Sequence, residues 1–280
     1  MSATITPPTP EQVPPTPAPQ PRGSATAIAI IAIVIGAVLI LGTVVFGILG
    51  ALRTAATQTI ERSASADDVE SVETSTSAGE LDVVFERVDE ATLTVEGPGA
   101  DDWQLDRSGD QLTVSVDRGW FGGWSWFGSE GDRAVLTLPM ELTGIDATFD
   151  VSAGSVEASG AFGDVRLELS AGEIDLSGVV ASLDTHVSAG TVNLDVDAPR
   201  TVVIDVSAGT VKGQLTGAPS DSLDIGVSAG SVHLALPDGT YRVTSDVSAG
   251  TFDNNLDTSS GATSTVDVRI SAGEVVLRQD

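Results

Sequence analysis

The sequence predicts an all-β fold, a solenoid of stacked strands, preceded by one transmembrane helix. Three observations lead to this prediction. The tripeptide Ser-Ala-Gly recurs through the second half of the chain at intervals near 20 residues. Apolar and polar residues alternate on both sides of each tripeptide, which is the period of a strand with one buried face. A stretch of 28 residues near the N-terminus carries no charge, which is long enough to cross a bilayer.

The first segment, residues 1–24, is rich in proline. Eight of the 13 prolines in the chain lie in residues 1–22, and no apolar period accompanies them. We expect a solvated, disordered tail with local polyproline II conformation. A ligand for a proline-binding domain is the sharper alternative for this segment.

The uncharged stretch, residues 25–52, is expected to be a transmembrane helix. A cleaved signal peptide has an apolar region of about 7–15 residues behind a basic segment, and this stretch is longer. Arg22 and Arg53 flank it and nearly balance the positive-inside rule. The short tail and the lack of Lys/Arg clusters after the helix favour an extracytoplasmic C-terminal domain. Residues 53–70 are polar and are expected to be a linker.

The repeat defines the rest of the chain. From residue 152 onward, successive Ser-Ala-Gly copies are separated by 18, 18, 19, 21, 20 and 23 residues. A period near 20 residues is typical of a solenoid in which each repeat is one coil on the next. We therefore predict a β-solenoid over residues 145–280. The serines of the eight copies are Ser77, Ser152, Ser170, Ser188, Ser207, Ser228, Ser248 and Ser271.

The parity of the apolar residues changes at every tripeptide. In residues 167–176 the apolar positions are 167, 169 and 171, and then 174 and 176. A change of face requires a corner, and glycine permits the backbone conformations that a corner needs. The alanine before the glycine is expected to point inward. The predicted structural corners are Gly154, Gly172, Gly190, Gly209, Gly230, Gly250 and Gly273.

Residues 71–144 are less regular and are predicted to be a β capping section. Strand-like segments lie at 83–85, 91–95, 111–116 and 134–138. A solenoid needs such a section because an open end exposes a strand edge and an apolar cross-section.

An aromatic cluster lies between the last two of these segments and is expected to be the tip of a hairpin. Two interpretations are open. The cluster is a lid on the apolar end of the solenoid, which the need for a cap favours, or a contact surface for a partner, a glycan or the bilayer interface. The candidate interaction residues are Trp120, Phe121, Trp124, Trp126 and Phe127.

Two polar columns are further candidates. The serine column lacks a well-placed base, so we interpret it as a ladder of hydroxyls that bond between coils rather than as a set of nucleophiles. The column two positions before each serine carries several carboxylates. One interpretation is that calcium ions bind between these carboxylates, and the favoured alternative is a solvated acidic face. The column consists of Asp150, Glu168, His186, Asp205, Gly226, Asp246 and Arg269.

Composition excludes several classes of function. The chain has a formal net charge of -27, which repels nucleic acid. It has no cysteine, so disulfides, thiolate nucleophiles and cysteine zinc sites are absent. No cofactor or metal site is predicted, and the oligomeric state is left open.

A single N-terminal span, strand pairs that end in Leu138-Pro139, and serial Val-Ser-Ala-Gly-x-Val coils resemble the bacterial putative-adhesin, or toast-rack, β-strand-repeat family. The resemblance covers about residues 65–280. It implies a single-stranded right-handed β-helix outside the cytoplasmic membrane, and it implies no enzymatic activity and no known site residues. We therefore expect a membrane-anchored, non-enzymatic module that binds an envelope protein or a glycan, as an adhesin-like or envelope-sensing protein. The alternatives are a polysaccharide-acting β-helix enzyme and a purely mechanical spacer.

Overall fold

Val, Leu, Ile and Thr alternate with polar residues along most of the chain, and these segments form strands. The computed structural model describes residues 58–116 and 131–279, all within one compact unit, Arg53–Asp280. The described residues form fourteen strands and two short 3-10 helices, and they contain no α-helix. The predicted all-β class is confirmed.

The strands, in chain order, are β1 Gln58–Ser65, β2 Ser71–Thr76, β3 Glu80–Glu86, β4 Glu90–Gly97, β5 Trp103–Ser108, β6 Gln111–Val116, β7 Arg133–Pro139, β8 Ile145–Val151, β9 Ser155–Leu169, β10 Glu173–Asp197, β11 Thr201–Thr216, β12 Ser222–Leu236, β13 Tyr241–Asn255 and β14 Ser264–Gln279. The 3-10 helices are Ala100–Asp102 and Met140–Leu142. No helix in the described residues is long and apolar enough to span a membrane. The predicted tail, 1–24, and the predicted transmembrane helix, 25–52, lie outside the described residues.

Each Ser-Ala-Gly tripeptide joins two stretches of strand. We call the stretch before it the first arm, the tripeptide the corner, the stretch after it the second arm, and the three together a coil. First arms pair with first arms and second arms with second arms, in parallel. Val187 and Gly190, for example, pair with Val206 and Gly209 of the next coil. Each position of the repeat is therefore stacked on its equivalent in the neighbouring coil.

This register stacks the apolar side chains into continuous buried columns. Val206, Val227 and Ile270 occupy the last position of three first arms that pair in turn, and none of them is more than 3% exposed. Burying each such side chain contributes about 1.5–3 kcal/mol relative to leaving it in water. The core is thus built from Val, Leu and Ile at alternate positions, as the period of two predicts.

Coils begin earlier in the chain than predicted. β2 and β3 flank the corner at Ser77 and form a coil that pairs in parallel with β8 and the start of β9. β6 and β7 pair in parallel with β2 and β3 on the other side. Beyond them β5 pairs with β6, β4 with β7, and β1 with β4, all antiparallel. The capping section is therefore a continuation of the stack that changes to antiparallel pairing at its end.

Two predictions for this region are wrong. The segment 53–70 was expected to be a linker, yet β1 fills nearly half of it, because β4 offers a free edge with which its Thr, Ile and Ser residues can pair. The strands that flank the aromatic cluster were expected to form a hairpin, but in the described residues β6 and β7 do not pair with each other. They are the two arms of one coil, and their partners come from distant parts of the sequence.

The last two coils are stacked in reverse chain order. β14 pairs with β12 on one side and with β13 on the other, so the strand that comes last in sequence lies inside the stack. β13, which precedes it, is the outermost coil. The coils therefore do not stack strictly in chain order, although the sequence repeat suggests that they would.

Candidate functional site

The predicted aromatic cluster, Trp120 to Phe127, lies outside the described residues, and both of its interpretations stay predictions. The structure describes where the chain leaves and returns on either side of it. β6 ends at Val116 and β7 begins at Arg133, and these strands are the first and second arms of one coil. β6 and β7 therefore take the places that the arms before and after a Ser-Ala-Gly corner have in other coils.

The seven predicted corner glycines, together with Gly79, form a continuous ladder. A Cβ added at Gly209 would lie 2.7 Å from the carbonyl oxygen of Gly190, and at the other six predicted corners it would lie at 2.5 Å or less from the stacked glycine. Gly154, Gly172 and Gly250 also have a positive φ, whereas Gly209 does not. Close approach of successive coils therefore requires glycine at every corner, and backbone conformation requires it only at some.

The alanine of each corner does not point inward, which corrects the sequence prediction. Ala189, Ala208 and Ala229 are exposed, as are the serines before them. Two successive residues, Ser and Ala, point outward because the chain turns across the whole tripeptide. The alternation of inward and outward side chains therefore shifts by one position at Ser-Ala, and no small inward side chain is needed. The glycine is the sterically restricted position.

The serine column also differs from the expected hydroxyl ladder. None of the side-chain hydrogen bonds among the described residues joins one corner serine to the next. These exposed serine side chains face water instead. A hydroxyl pair forms just after the corner, where Thr210 Oγ1 lies 3.1 Å from Ser231 Oγ.

The predicted acidic column is brought together, and cationic side chains bridge it. Arg166 contacts Glu168 at 2.7 Å and Asp184 at 2.9 Å. His186 lies 3.2 Å from Asp184 and 3.6 Å from Asp205. Throughout the described residues there is no cluster of three or more His, Asp or Glu placed to hold a metal ion. Arg166 therefore relieves part of the repulsion for which calcium was considered.

A groove that was not predicted lies on the second arms. It has a volume of about 760 Å³, and successive coils from β9 to β14 line it. Most of its side chains come from the third, fourth and fifth positions after each corner glycine. The floor includes Leu176, Leu194 and Leu234, and Gly213 stands where neighbouring coils have leucine.

The charges in this groove are separated along the stack. Its acidic half consists of Glu157, Asp175 and Asp195, from three successive coils. Its basic half consists of Lys212, His233 and Arg278, from the next three coils in the stack. Each half is therefore a run of one sign in three adjacent coils.

Side-chain amides lie where the two halves meet. Asn193 donates to Glu173 at 2.8 Å and to Asp175, and Gln214 donates to Asp195 at 2.8 Å. These bonds fix the carboxylates of the acidic half. The groove thus has two charged halves and a polar, hydrogen-bonding middle.

One carboxyl at the repeat position of Glu157, three residues after a corner glycine, has a raised pKa. Asp82 pairs in register with Glu157, next to the acidic half, and its Oδ1 is buried without a hydrogen-bond partner among the described residues. Burial raises the pKa of Asp82, the negative charge of Glu80 raises it further, and Arg133 opposes both. Negative charge is therefore concentrated around Asp82.

The sequence does contain a signal for the groove. In the five coils from Gly154 to Gly230, the position three after the corner glycine reads Glu157, Asp175, Asn193, Lys212 and His233, and in the last two coils it is Asp253 and Val276. The residues change from acidic to basic across the first five coils, and the last two do not continue that change. Aligning the repeats on the position after the corner, as well as before it, would have revealed that pattern.

Comparison with known proteins gives only distant structural neighbours. No protein-family model matches the chain, and no curated protein matches it either. A putative adhesin from Bacteroides fragilis has 13% identity and a TM-score of 0.44, with 79% of this chain and 98% of that structure covered. A putative cell adhesion protein from Clostridium sporogenes has 11% identity and a TM-score of 0.35, with coverages of 80% and 100%.

A putative lipid binding protein from Parabacteroides distasonis has 12% identity and a TM-score of 0.30, with 78% of this chain and 97% of that structure covered. Scores and identities this low support no conclusion about the function of this chain.

Proposed function

We propose that this chain is a non-enzymatic binding module of the cell envelope, adhesin-like or sensing, and that the groove on the second arms is its ligand-binding surface. The observation that carries the proposal is the groove itself, where charged side chains of both signs from six stacked coils line one concave face. Binding sites are typically concave and carry a few convergent polar groups. A rigid stack of coils holds these groups at fixed spacing.

The test is capture of solubilised envelope material by the immobilised full-length protein. Lys212→Glu reverses a charge in the groove, and Arg200→Glu makes the same change in net charge at an exposed residue that does not line it. We expect wild type and Arg200→Glu to retain the same material and Lys212→Glu to lose it. Equal retention by both variants, or no specific retention by wild type, would show that the groove is not a binding surface and would favour a spacer.

We further propose that the helix over residues 25–52 anchors the chain in the cell membrane, with the β-solenoid outside. The support is the uncharged length of that segment and the acidic character of the chain on its C-terminal side. A right-handed coil is the expected hand, because crossovers between parallel strands of one sheet are almost always right-handed. Protease added to intact cells should degrade residues 58–280 and spare an epitope at the N-terminus. Protection of the solenoid in sealed cells would overturn this topology.

A further inference from the structure

The basic half of the groove gathers basic side chains from adjacent coils. Elsewhere the arginines vary: Arg133 contacts Glu80 at 2.7 Å and Arg166 bridges two carboxylates, whereas Arg200 is a single exposed cation without an ion pair among the described residues. Among the described residues, neither Lys212 nor Arg278 makes a side-chain hydrogen bond or an ion pair, and Lys212 is the one lysine in the chain. His233 makes only a 3.5 Å contact with Glu274.

Unpaired cations that stand close to one another are unexpected in a chain of net charge -27. Like charges repel, and carboxylates far outnumber cationic groups over the rest of the surface. Lys212 and His233 are neighbours in register, and Arg278 projects from the next coil on the same face. The fold therefore keeps three basic side chains together, and two of them, Lys212 and Arg278, have no ion-pair partner among the described residues.

The whole-protein charge limits what these cations can bind. A polyanion is repelled by the acidic surface around the groove, and a purely cationic ligand, although attracted by the net charge, meets like charges at Lys212 and Arg278 when it fills the groove. A ligand with one charge of each sign matches both halves. The arrangement thus selects for a dipolar molecule and for one orientation of it.

We propose that the groove binds an extended oligopeptide that carries a carboxylate at one end and a cationic group at the other. The carboxylate contacts Lys212 and Arg278, and the cationic group contacts Glu157 and Asp175. Gln214, between the two halves, gives one amide hydrogen to Asp195 and has a second that is suited to a peptide carbonyl in the middle. The inference rests on the proposed function, since it names the ligand of the same groove.

The dimensions fit a short peptide. Coils are spaced by about 4.8 Å, so the three steps from Glu157 to Lys212 span roughly 14 Å and the five steps from Glu157 to Arg278 span roughly 24 Å. An extended chain advances about 3.3 Å per residue, so about four to seven residues bridge the two halves. A peptide supplies both charges at this separation on one backbone.

Calorimetric titration of the full-length protein at low ionic strength tests the proposal. The probe is the capped octapeptide Lys-Lys-Gly-Ser-Gly-Ser-Glu-Glu. Its comparators are the same sequence with Lys at both ends, the same with Glu at both ends, and a neutral N-acetylglucosamine oligomer. We expect the dipolar peptide to bind about tenfold or more tightly than each comparator, since a misplaced like charge is strongly unfavourable.

Charge reversal at the basic half provides the second arm. Lys212→Glu and, independently, Arg278→Glu should each weaken binding of the dipolar peptide about tenfold and strengthen binding of the all-Lys peptide. Arg200→Glu should change neither. Equal binding of dipolar and all-Lys peptides, equal effects of all three variants, or preference for the sugar oligomer would overturn the proposal. Envelope capture that depends on the groove, with no peptide binding, would reject the peptide while leaving the proposed function standing.

Discussion

At the scale of single residues, the corner glycine is the most constrained position of the repeat. Each corner glycine lies against the carbonyl of the stacked glycine, and at Gly209 a Cβ would also lie 2.7 Å from Cγ1 of Val187. Neither group can move away without separating two coils. The alanine beside it is exposed and meets no such limit.

Gly209→Ala is therefore expected to destabilise the protein by about 1–3 kcal/mol through overpacking. Ala208→Leu, one residue earlier, should change the free energy of unfolding by about 0.5 kcal/mol or less, as exposed substitutions usually do. Denaturant unfolding of the two variants and wild type measures both effects. A larger loss of stability for Ala208→Leu than for Gly209→Ala would contradict the exposed position of Ala208 and support the inward-pointing alanine predicted from the sequence.

Asp82 offers a second test at this scale. Its pKa is raised first by burial and then by Glu80, so the folded state binds a proton more tightly than the unfolded chain. The ionised carboxylate thus opposes folding above its folded pKa, and this cost vanishes below the ordinary value of 3.8. Asp82→Asn should therefore raise Tm at neutral pH. The gain in the free energy of unfolding should be less than about 1 kcal/mol, because water screens this half-exposed group.

The advantage of Asp82→Asn should disappear as the pH falls below that ordinary value. Asp106→Asn is the matched control, since it removes the same charge from an exposed position. Thermal melts of both variants across the acidic range give the comparison. Identical behaviour of the two variants would mean that only net charge matters at Asp82.

At the scale of elements, the composition of β13 explains why the last coils exchange places. Its inward positions include Ser245 and Asn254, which pair in register with Val268 and Leu277 of β14. A polar inward side chain is costly between two coils and harmless at the end of the stack, where water reaches it. β14, which is apolar at the same positions, is buried instead, and β13 is the terminal cap.

Two substitutions at paired positions test this order. Ile270 of β14 is 2% exposed, and its register partner Val247 of β13 is 39% exposed. Ile270→Ala should cost about 2–5 kcal/mol, as buried truncations do, and Val247→Ala about 1 kcal/mol or less.

Val227→Ala is the control for the second of these changes, because Val227 occupies the same position of the repeat in β12 and is 3% exposed. It should destabilise clearly more than Val247→Ala. In a serial stack Val247 would be sandwiched and Ile270 terminal, so the reverse ranking of those two variants would contradict the observed order.

At the scale of the whole molecule, the repeat was readable from sequence because its period and alternation are carried by many residues. The strands predicted at 83–85, 91–95, 111–116 and 134–138 lie within β3, β4, β6 and β7. Pairing was less predictable. β6 and β7 are close in sequence but find their partners elsewhere, and β1 has no apolar alternation strong enough to announce a strand.

The groove was missed for a related reason. The sequence comparison used the positions before the corner, where Arg166 forms ion pairs with acidic neighbours and His186 contacts Asp184. The unneutralised charges lie on the second arms, and they form two opposed halves only after the coils are stacked. The order of β13 and β14 also brings Arg278 next to His233's coil, which a serial stack would not do.

The net charge of -27 has a consequence for the molecule as a whole. Most of the carboxylates lack an ion-pair partner within the described residues, where arginines form four ion pairs with carboxylates. Exposed pairs contribute little, about 0–1 kcal/mol each. Self-repulsion among the remaining carboxylates should therefore outweigh attraction, and it opposes the compact state.

Tm is accordingly expected to rise as sodium chloride is added to the full-length protein. The rise should be steepest below physiological ionic strength, where the screening length shortens to about 8 Å, and should then level off. Sodium sulfate at equal ionic strength is the control, because its additional effect on apolar burial continues to grow at high concentration. A fall in Tm over the same range would mean that the bridges of Arg166 and His186, rather than repulsion, dominate the electrostatics of the fold.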